Sequence, residues 1–164
     1  MADETGEVRT QKLDPEAEAR RRIALAQIRQ YPDPVLRMRA REVEEFDGDL
    51  TGLTERLKHL LREANGLGLA ATQIGVLRRV FAFLPDPEGE PVVIVNPTFT
   101  ATSEERESDT EGCLSLPGLQ FDCVRYQNVV AHGQNEYGDP VTLAGSELLA
   151  RCVQHETDHL DGVL

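Results

Sequence analysis

Ser146-Glu147-Leu148-Leu149-Ala150-Arg151-Cys152-Val153-Gln154-His155-Glu156-Thr157-Asp158-His159-Leu160 is the stretch on which the reading of this chain turns. Leu148, Leu149, Cys152, Val153 and Leu160 line an apolar face, Ser146 is a good N-cap and Glu147 sits just inside it, so the spacing predicts a final amphipathic helix. Within it, His155-Glu156-Thr157-Asp158-His159 has the H-E-x-x-H spacing. Two imidazoles four residues apart stand one turn above each other on one face, where both reach a single ion. Glu156, beside the first histidine, is placed to take a proton from water activated there.

A catalytic ion of this kind normally has three protein ligands and one open position. Downstream the sequence offers only Asp161, too close along the helix and on the wrong side, so the third ligand comes from upstream. Cys152 has nearly the azimuth of His159, but seven residues of helix separate them by ~10.5 Å along the axis, against ligand bonds of about 2 Å; it reads as core. Cys123, in a strand-like run, stays open as an alternative. Cys113 lies in Asp109-Thr110-Glu111-Gly112-Cys113-Leu114-Ser115, a polar, glycine-containing stretch read as a connection between strands that faces a cleft, and is favoured.

Outward from the helix, Val129–Gln134 and Val141–Leu143 read as a hairpin across Tyr137-Gly138-Asp139. Val80–Leu84 and Val92–Val95 pair around Pro85-Asp86-Pro87-Glu88-Gly89-Glu90, and Leu119–Arg125 is a further strand. His132 reads as an ordinary strand residue. Leu50, Leu53, Leu57, Leu60, Leu61 and Ala64 mark an amphipathic helix capped by Asp47 or Asp49 and ended at Asn65-Gly66, with His59 on its surface. Asp14-Pro15-Glu16 opens a short helix running to Ile28, whose Arg20-Arg21-Arg22 run reads as a solvated face, and Tyr31-Pro32-Asp33-Pro34 breaks the chain. The order of helix, strands and helix predicts an α+β fold, antiparallel sheets packed around a C-terminal metal-binding helix. It divides into a flexible N-terminal extension over 1–22 and a single catalytic domain over 23–164.

The bulk properties agree. At 164 residues, 40% hydrophobic and 28% charged, the chain suits one globular domain. No apolar run approaches the ~20 residues that cross a bilayer, and Met1–Val8 holds three acids and no apolar core of a leader, which points to the cytoplasm. Three cysteines without an export signal argue against a disulfide framework. With 29 acids against 17 bases the net charge is −12, which disfavours direct nucleic-acid binding. No dimerisation stripe is visible, and a monomer is expected.

Gly66-Leu67-Gly68-Leu69-Ala70-Ala71-Thr72-Gln73 mimics a dinucleotide fingerprint. That fingerprint needs a strand before and a helix after, and here a helix precedes. The glycines instead suit close approach of backbone to a ligand.

Taken together, three segments resemble the peptide deformylase family: Gly66 to Gln73, Glu111-Gly112-Cys113-Leu114-Ser115, and Gln154-His155-Glu156-Thr157-Asp158-His159. The resemblance runs from about Ile28 to the C-terminus. It implies metal ligands Cys113, His155 and His159, Glu156 as general base and then general acid, and an oxyanion site from the Gln73 side-chain amide and the Leu114 backbone N–H. Backbone groups of Leu67, Gly68 and Gly112 would align an N-formylmethionyl nascent peptide in β fashion. The implied cofactor is one divalent ion, Fe(II) in the cell, with nickel, cobalt or zinc replacing it in purified protein. A thiolate ligand leaves the ion less Lewis acidic than three histidines would and suits a borderline metal. Many bacterial members dock near the ribosomal exit through a further C-terminal helix; the sequence stops at Leu164, which argues against that mode. Arg125 is expected to pair with Glu111 and hold the Cys113 segment. Two rivals compete: an H-E-x-x-H endopeptidase leaves Cys113 and the Gly66–Gln73 loop unexplained, and a non-catalytic metal-binding module has no need of Glu156 or Gln73.

Overall fold

A computed structural model describes residues 14–164. Asp14 caps helix α1, Pro15–Leu25, by accepting from the Ala17 N–H at 2.8 Å. Proline and two acids in the first turn suit that end of a helix. Of the stretch read as a flexible extension, residues 1–13 lie outside the described ones and 15–22 belong to α1, where Arg20 meets Glu63 of the next helix at 3.1 Å.

Helix α2, Gly48–Glu63, starts at Asp47, whose carboxylate accepts from the Leu50 N–H. It ends where Asn65 turns left-handed (φ 56°) and the Asn65 and Gly66 N–H groups bond back to Arg62 and Leu61, a Schellman closure that asparagine tolerates.

Seven strands follow. β1 (Gly68–Ala70), β2 (Val80–Phe83), β3 (Val92–Ala101), β6 (Asn128–Gln134) and β7 (Pro140–Ser146) form one antiparallel sheet in the order β1-β2-β3-β6-β7. β4 (Arg106–Cys113) and β5 (Leu116–Tyr126) make a separate two-stranded ribbon. Helix α3, Glu147–Leu160, closes the order.

Alternation along β2 and β3 explains how the layers stack. Val80, Ala82, Val93 and Val95 face one way and pack with Leu50, Leu57, Leu60 and Leu61 of α2. Phe81, Phe83 and Ile94 face the other way and pack with Ala150, Cys152, Val153 and Leu160 of α3. The sheet is therefore buried on both faces, so its central strands are unbroken apolar runs. The final helix lies on one face, with β1 at the sheet edge beside it.

One expectation needs correcting. The segment 109–115, read as a connection, is the end of β4 plus a two-residue turn at Leu114-Ser115, with Cys113 paired to Leu116. β4 begins Arg106-Glu107-Ser108-Asp109, all exposed. A ribbon wet on both faces carries no apolar alternation, the signal from which strands are read. β3 also runs on past Val95 to Ala101, through a register irregularity at Asn96-Pro97, where proline hides the strand.

Candidate metal centre

Two pieces of the fold converge on one buried point. α3 presents His155 and His159 on successive turns, and the tip of the β4–β5 ribbon presents Cys113. The His155 and His159 Nε2 atoms are 3.0 Å apart, and Cys113 Sγ is 3.4 Å from His159 Nε2. The three ligand atoms all lie within 4.8 Å of one another. Cys123 and Cys152 are not part of this set: Cys123 is half-buried on β5, and the buried Cys152 Sγ lies 3.7 Å from the Leu67 carbonyl. His132 is exposed beside Thr142, and His59 is exposed on α2.

The donors fit a divalent ion. Two bonds of about 2.1 Å at a near-tetrahedral angle hold their nitrogens roughly 3.4 Å apart, close to the spacing found. One sulfur and two imidazoles also form the mixed soft and borderline set that late first-row metals favour.

Around the ligands runs a charged network anchored on Glu111, only 4% exposed. One Glu111 oxygen lies 2.9 Å from His155 Nδ1. A carboxylate only accepts, so Nδ1 carries the proton and Nε2 turns its lone pair to the site. Arg125 grips both Glu111 oxygens, at 2.9 and 3.0 Å, and bonds Asp158 with its remaining nitrogen. Burial pushes the Glu111 carboxyl up, but the hydrogen bonds from His155 and Arg125 together with the Arg125 charge outweigh it and hold the group well below the usual carboxylate range. Burial likewise works against the Arg125 charge, and Glu111 and Asp158 more than offset it, raising Arg125 further above its ordinary value.

Arg151, which the sequence reading passed over, donates to Glu111 at 2.8 Å, to the Cys123 carbonyl at 2.7 Å and to the Glu107 carbonyl at 2.8 Å. The available signal was its spacing: it stands four residues before His155, as His155 does before His159, on one face of the helix.

The remaining site residues ring the same point. Gln73 sits in a 3-10 turn, Ala71–Ile74, directly after β1. Its side-chain oxygen accepts from the Ala70 N–H at 2.9 Å. That fixes the amide, whose nitrogen is 3.1 Å from Ser115 Oγ and 3.7 Å from Cys113 Sγ. Ser115, quoted with the Cys113 segment in the sequence, was given no role of its own there. Leu114 is buried in the turn beside Cys113, and its carbonyl accepts from Gln30 at 3.0 Å.

Glu156 is fully buried and packs over the α-carbon of Gly68, where an added β-carbon would fall 2.4 Å from its Oε1. Just before β1 the Leu67 carbonyl accepts from the Leu84 N–H, so Leu67 turns that group toward β2. By alternation, Gly68 directs its N–H and C=O to the open edge. Gly112, on β4 beside Cys113, lines a cleft of about 480 Å³ that reaches the three ligands and is walled by Leu116, Leu119 and Phe121.

Comparison with known proteins finds similar sequences and folds. A family model described as polypeptide deformylase matches residues 25–164. A peptide deformylase of Acidothermus cellulolyticus is 51% identical over 142 residues, and one of a Parafrankia species is 50% identical over 142; each alignment covers 87% of this chain and 77% of the relative. The crystal structure of peptide deformylase from Thermotoga maritima superposes with a TM-score of 0.79 at 39% identity, covering 84% of this chain and 92% of that one.

Proposed function

The chain belongs to the polypeptide deformylase family, whose members remove the formyl group from N-formylmethionyl peptides by metal-dependent hydrolysis, and from that premise we propose how its own residues divide the work. Cys113, His155 and His159 hold the metal. When bound, a divalent ion lowers the pKa of water toward ~7 and polarises the formyl oxygen. Glu156 takes the proton from the attacking water and gives it to the departing amine nitrogen, so that formate and a free α-amine leave. Charge that develops on the formyl oxygen meets the Gln73 amide N–H and the Leu114 backbone N–H, and one such donor is commonly worth about 3 kcal/mol in the transition state. The Ala70 and Ser115 contacts hold the Gln73 amide before substrate arrives, so little reorganisation accompanies the reaction.

The peptide adds as a strand between the open edge of β1 and Gly112, with Gly68 the main backbone partner on the β1 side. The methionine side chain enters the cleft beside Leu116. The catalytic domain spans 23–164, so that only Ile23–Leu25 of α1 fall within it, and the enzyme works on nascent chains in the cytoplasm as a monomer. Fe(II) is the ion that the family resemblance implies for the cell, and the sulfur and nitrogen donors are compatible with it, with nickel, cobalt or zinc as replacements. Metal analysis of anaerobically purified protein tests that assignment.

The observation that carries the reading is the convergence of Cys113, His155 and His159 with Glu156 adjoining them. Its test is formate release from a short N-formylmethionyl peptide by anaerobic, metal-loaded protein, with unformylated and N-acetylated peptides alongside. Glu156→Ala should lower turnover by about 10²–10⁴-fold while one ion per chain stays bound. Wild-type turnover in that variant would remove Glu156 from its role.

A further inference from the structure

The metal site is assembled from two pieces that share no backbone hydrogen bonding. Its thiolate rides on the β4–β5 ribbon, a sheet of its own, and its imidazoles ride on α3. Something must hold the ribbon at a fixed distance from the helix, because a ligand displaced by even half an ångström leaves the geometry a metal requires.

Arg151 is placed to do this. It stands on α3 one turn before His155 and is 5% exposed. Its guanidinium reaches three acceptors, all on the ribbon: the Glu111 carboxylate, the Glu107 carbonyl and the Cys123 carbonyl. Glu107 and Cys123 sit in the body of the ribbon on its two strands, and Glu111 is two residues before the ligand Cys113. Arg125 belongs to the ribbon, grips Glu111 from the same side and crosses to Asp158 on α3, and Gln154 of α3 exchanges two hydrogen bonds with the Tyr126 backbone at the end of β5. Arg151 is the link that reaches both strands of the ribbon from the helix, and it ends on the carboxylate that also orients His155.

We propose that Arg151 is a positioning residue for the metal, a three-pronged tie that docks the Cys113 ribbon onto the histidine helix and so sets how tightly the ion is held. The proposal rests on the ligand assignment above. Only a guanidinium has the forked donors to serve a carboxylate and two carbonyls at once. The guanidinium uses two nitrogens, one for the Glu111 carboxylate and the Cys123 carbonyl and the other for the Glu107 carbonyl; a lysine has a single nitrogen and serves at most one of these two sets, and a methionine neither.

The test compares Co(II) binding to wild type, Arg151→Lys and Arg151→Met by competition with a chromophoric chelator, recording dissociation rates and the thiolate-to-cobalt absorption. Wild type is expected to bind one Co(II) with that absorption; its failure to do so would refute the ligand assignment rather than the role of Arg151. Given that result, Arg151→Met should weaken cobalt affinity by about 10–100-fold, as loss of groups that support metal ligands generally does. The ion should dissociate faster while the absorption persists at saturation. Arg151→Lys should recover only part of the loss. Urea unfolding of the metal-free forms separates positioning from bulk support: a variant with a lowered unfolding midpoint but wild-type cobalt affinity in the folded form overturns the proposal. Full rescue by lysine overturns it as well, since it would deny the need for a fork. Should the methionine variant fail to fold, the lysine variant alone decides, through its affinity and dissociation rate.

Discussion

Gly68→Ala isolates the placement of the general base from everything else in the site. The backbone torsions of Gly68 do not fall in the left-handed region, so alanine can adopt them. The obstacle is a single neighbour: an ideal β-carbon lies 2.4 Å from Glu156 Oε1, 2.8 Å from Cδ and 2.9 Å from Cγ. Non-bonded carbon and oxygen settle roughly 3.3–3.5 Å apart, so the carboxylate must retreat by about 1 Å. It is fully buried against the sheet edge and cannot swing into solvent to do so. A reacting group misplaced by about 1 Å loses on the order of 10²-fold in rate, equivalent to roughly 2.7 kcal/mol of activation free energy.

Stability should respond differently. Replacing glycine by alanine at torsions alanine accepts restricts the unfolded chain and is worth about 0.4–1 kcal/mol, which offsets part of the crowding. The expected phenotype is therefore a folded protein with one ion per chain, an unfolding midpoint close to wild type, and kcat for formate release lowered about 100-fold. The assays are single-turnover formate release, metal analysis and urea unfolding on the same preparation. A kcat within threefold of wild type, with metal bound, would refute the reasoning: either the carboxylate position is not limiting, or β1 shifts to make room.

Two further outcomes bear on the fold and the ion. Gly162→Ala places a β-carbon 2.6 Å from the Arg37 carbonyl oxygen at a backbone φ of 79°; both the collision with rigid backbone and the left-handed torsion oppose alanine, so urea unfolding should report a loss of more than about 1 kcal/mol, and an unchanged midpoint would contradict it. Metal added at 100 times its dissociation constant should stabilise the protein by about 2.7 kcal/mol, read as a thermal midpoint that climbs with metal concentration and falls back on chelation; a midpoint indifferent to metal would mean that the ion does not favour the folded state.

What could be read in advance followed the strength of the local signal. α2 declared itself through its leucine spacing and its caps, and Asp47 and Asn65 serve as those residue types suggest. The H-E-x-x-H helix was equally plain, because both histidines and their glutamate lie within one turn and a half of a single element. β4 was missed since an exposed ribbon strand has nothing to bury. Ser146 caps α3 in position only: its side chain makes no capping bond, and Glu147 enters the helix with a φ of 54°.

The support of the site was the hardest part to read, and the reason is physical. A metal ligand is recognisable by residue type, because few side chains can bind an ion and their spacing on a helix is constrained. A residue that holds a ligand in place needs only charge and reach, which every arginine of the chain possesses. Arg125 could be suspected from its nearness in sequence to Glu111. Arg151 lies 40 residues from Glu111 and reaches it because α3 folds back across the ribbon. Its spacing puts it on the histidine face of α3, but what separates it from the arginines of α1 is burial, and burial becomes visible only once the sheet, the ribbon and the helix have been brought together. The same holds for Gly68: its glycine character reads as permission for a ligand to approach, and the structure adds that Glu156 lies over its α-carbon where a β-carbon would fall. A small residue in a motif marks a close approach without saying which group makes it, and here the approaching group is the carboxylate proposed to move the proton.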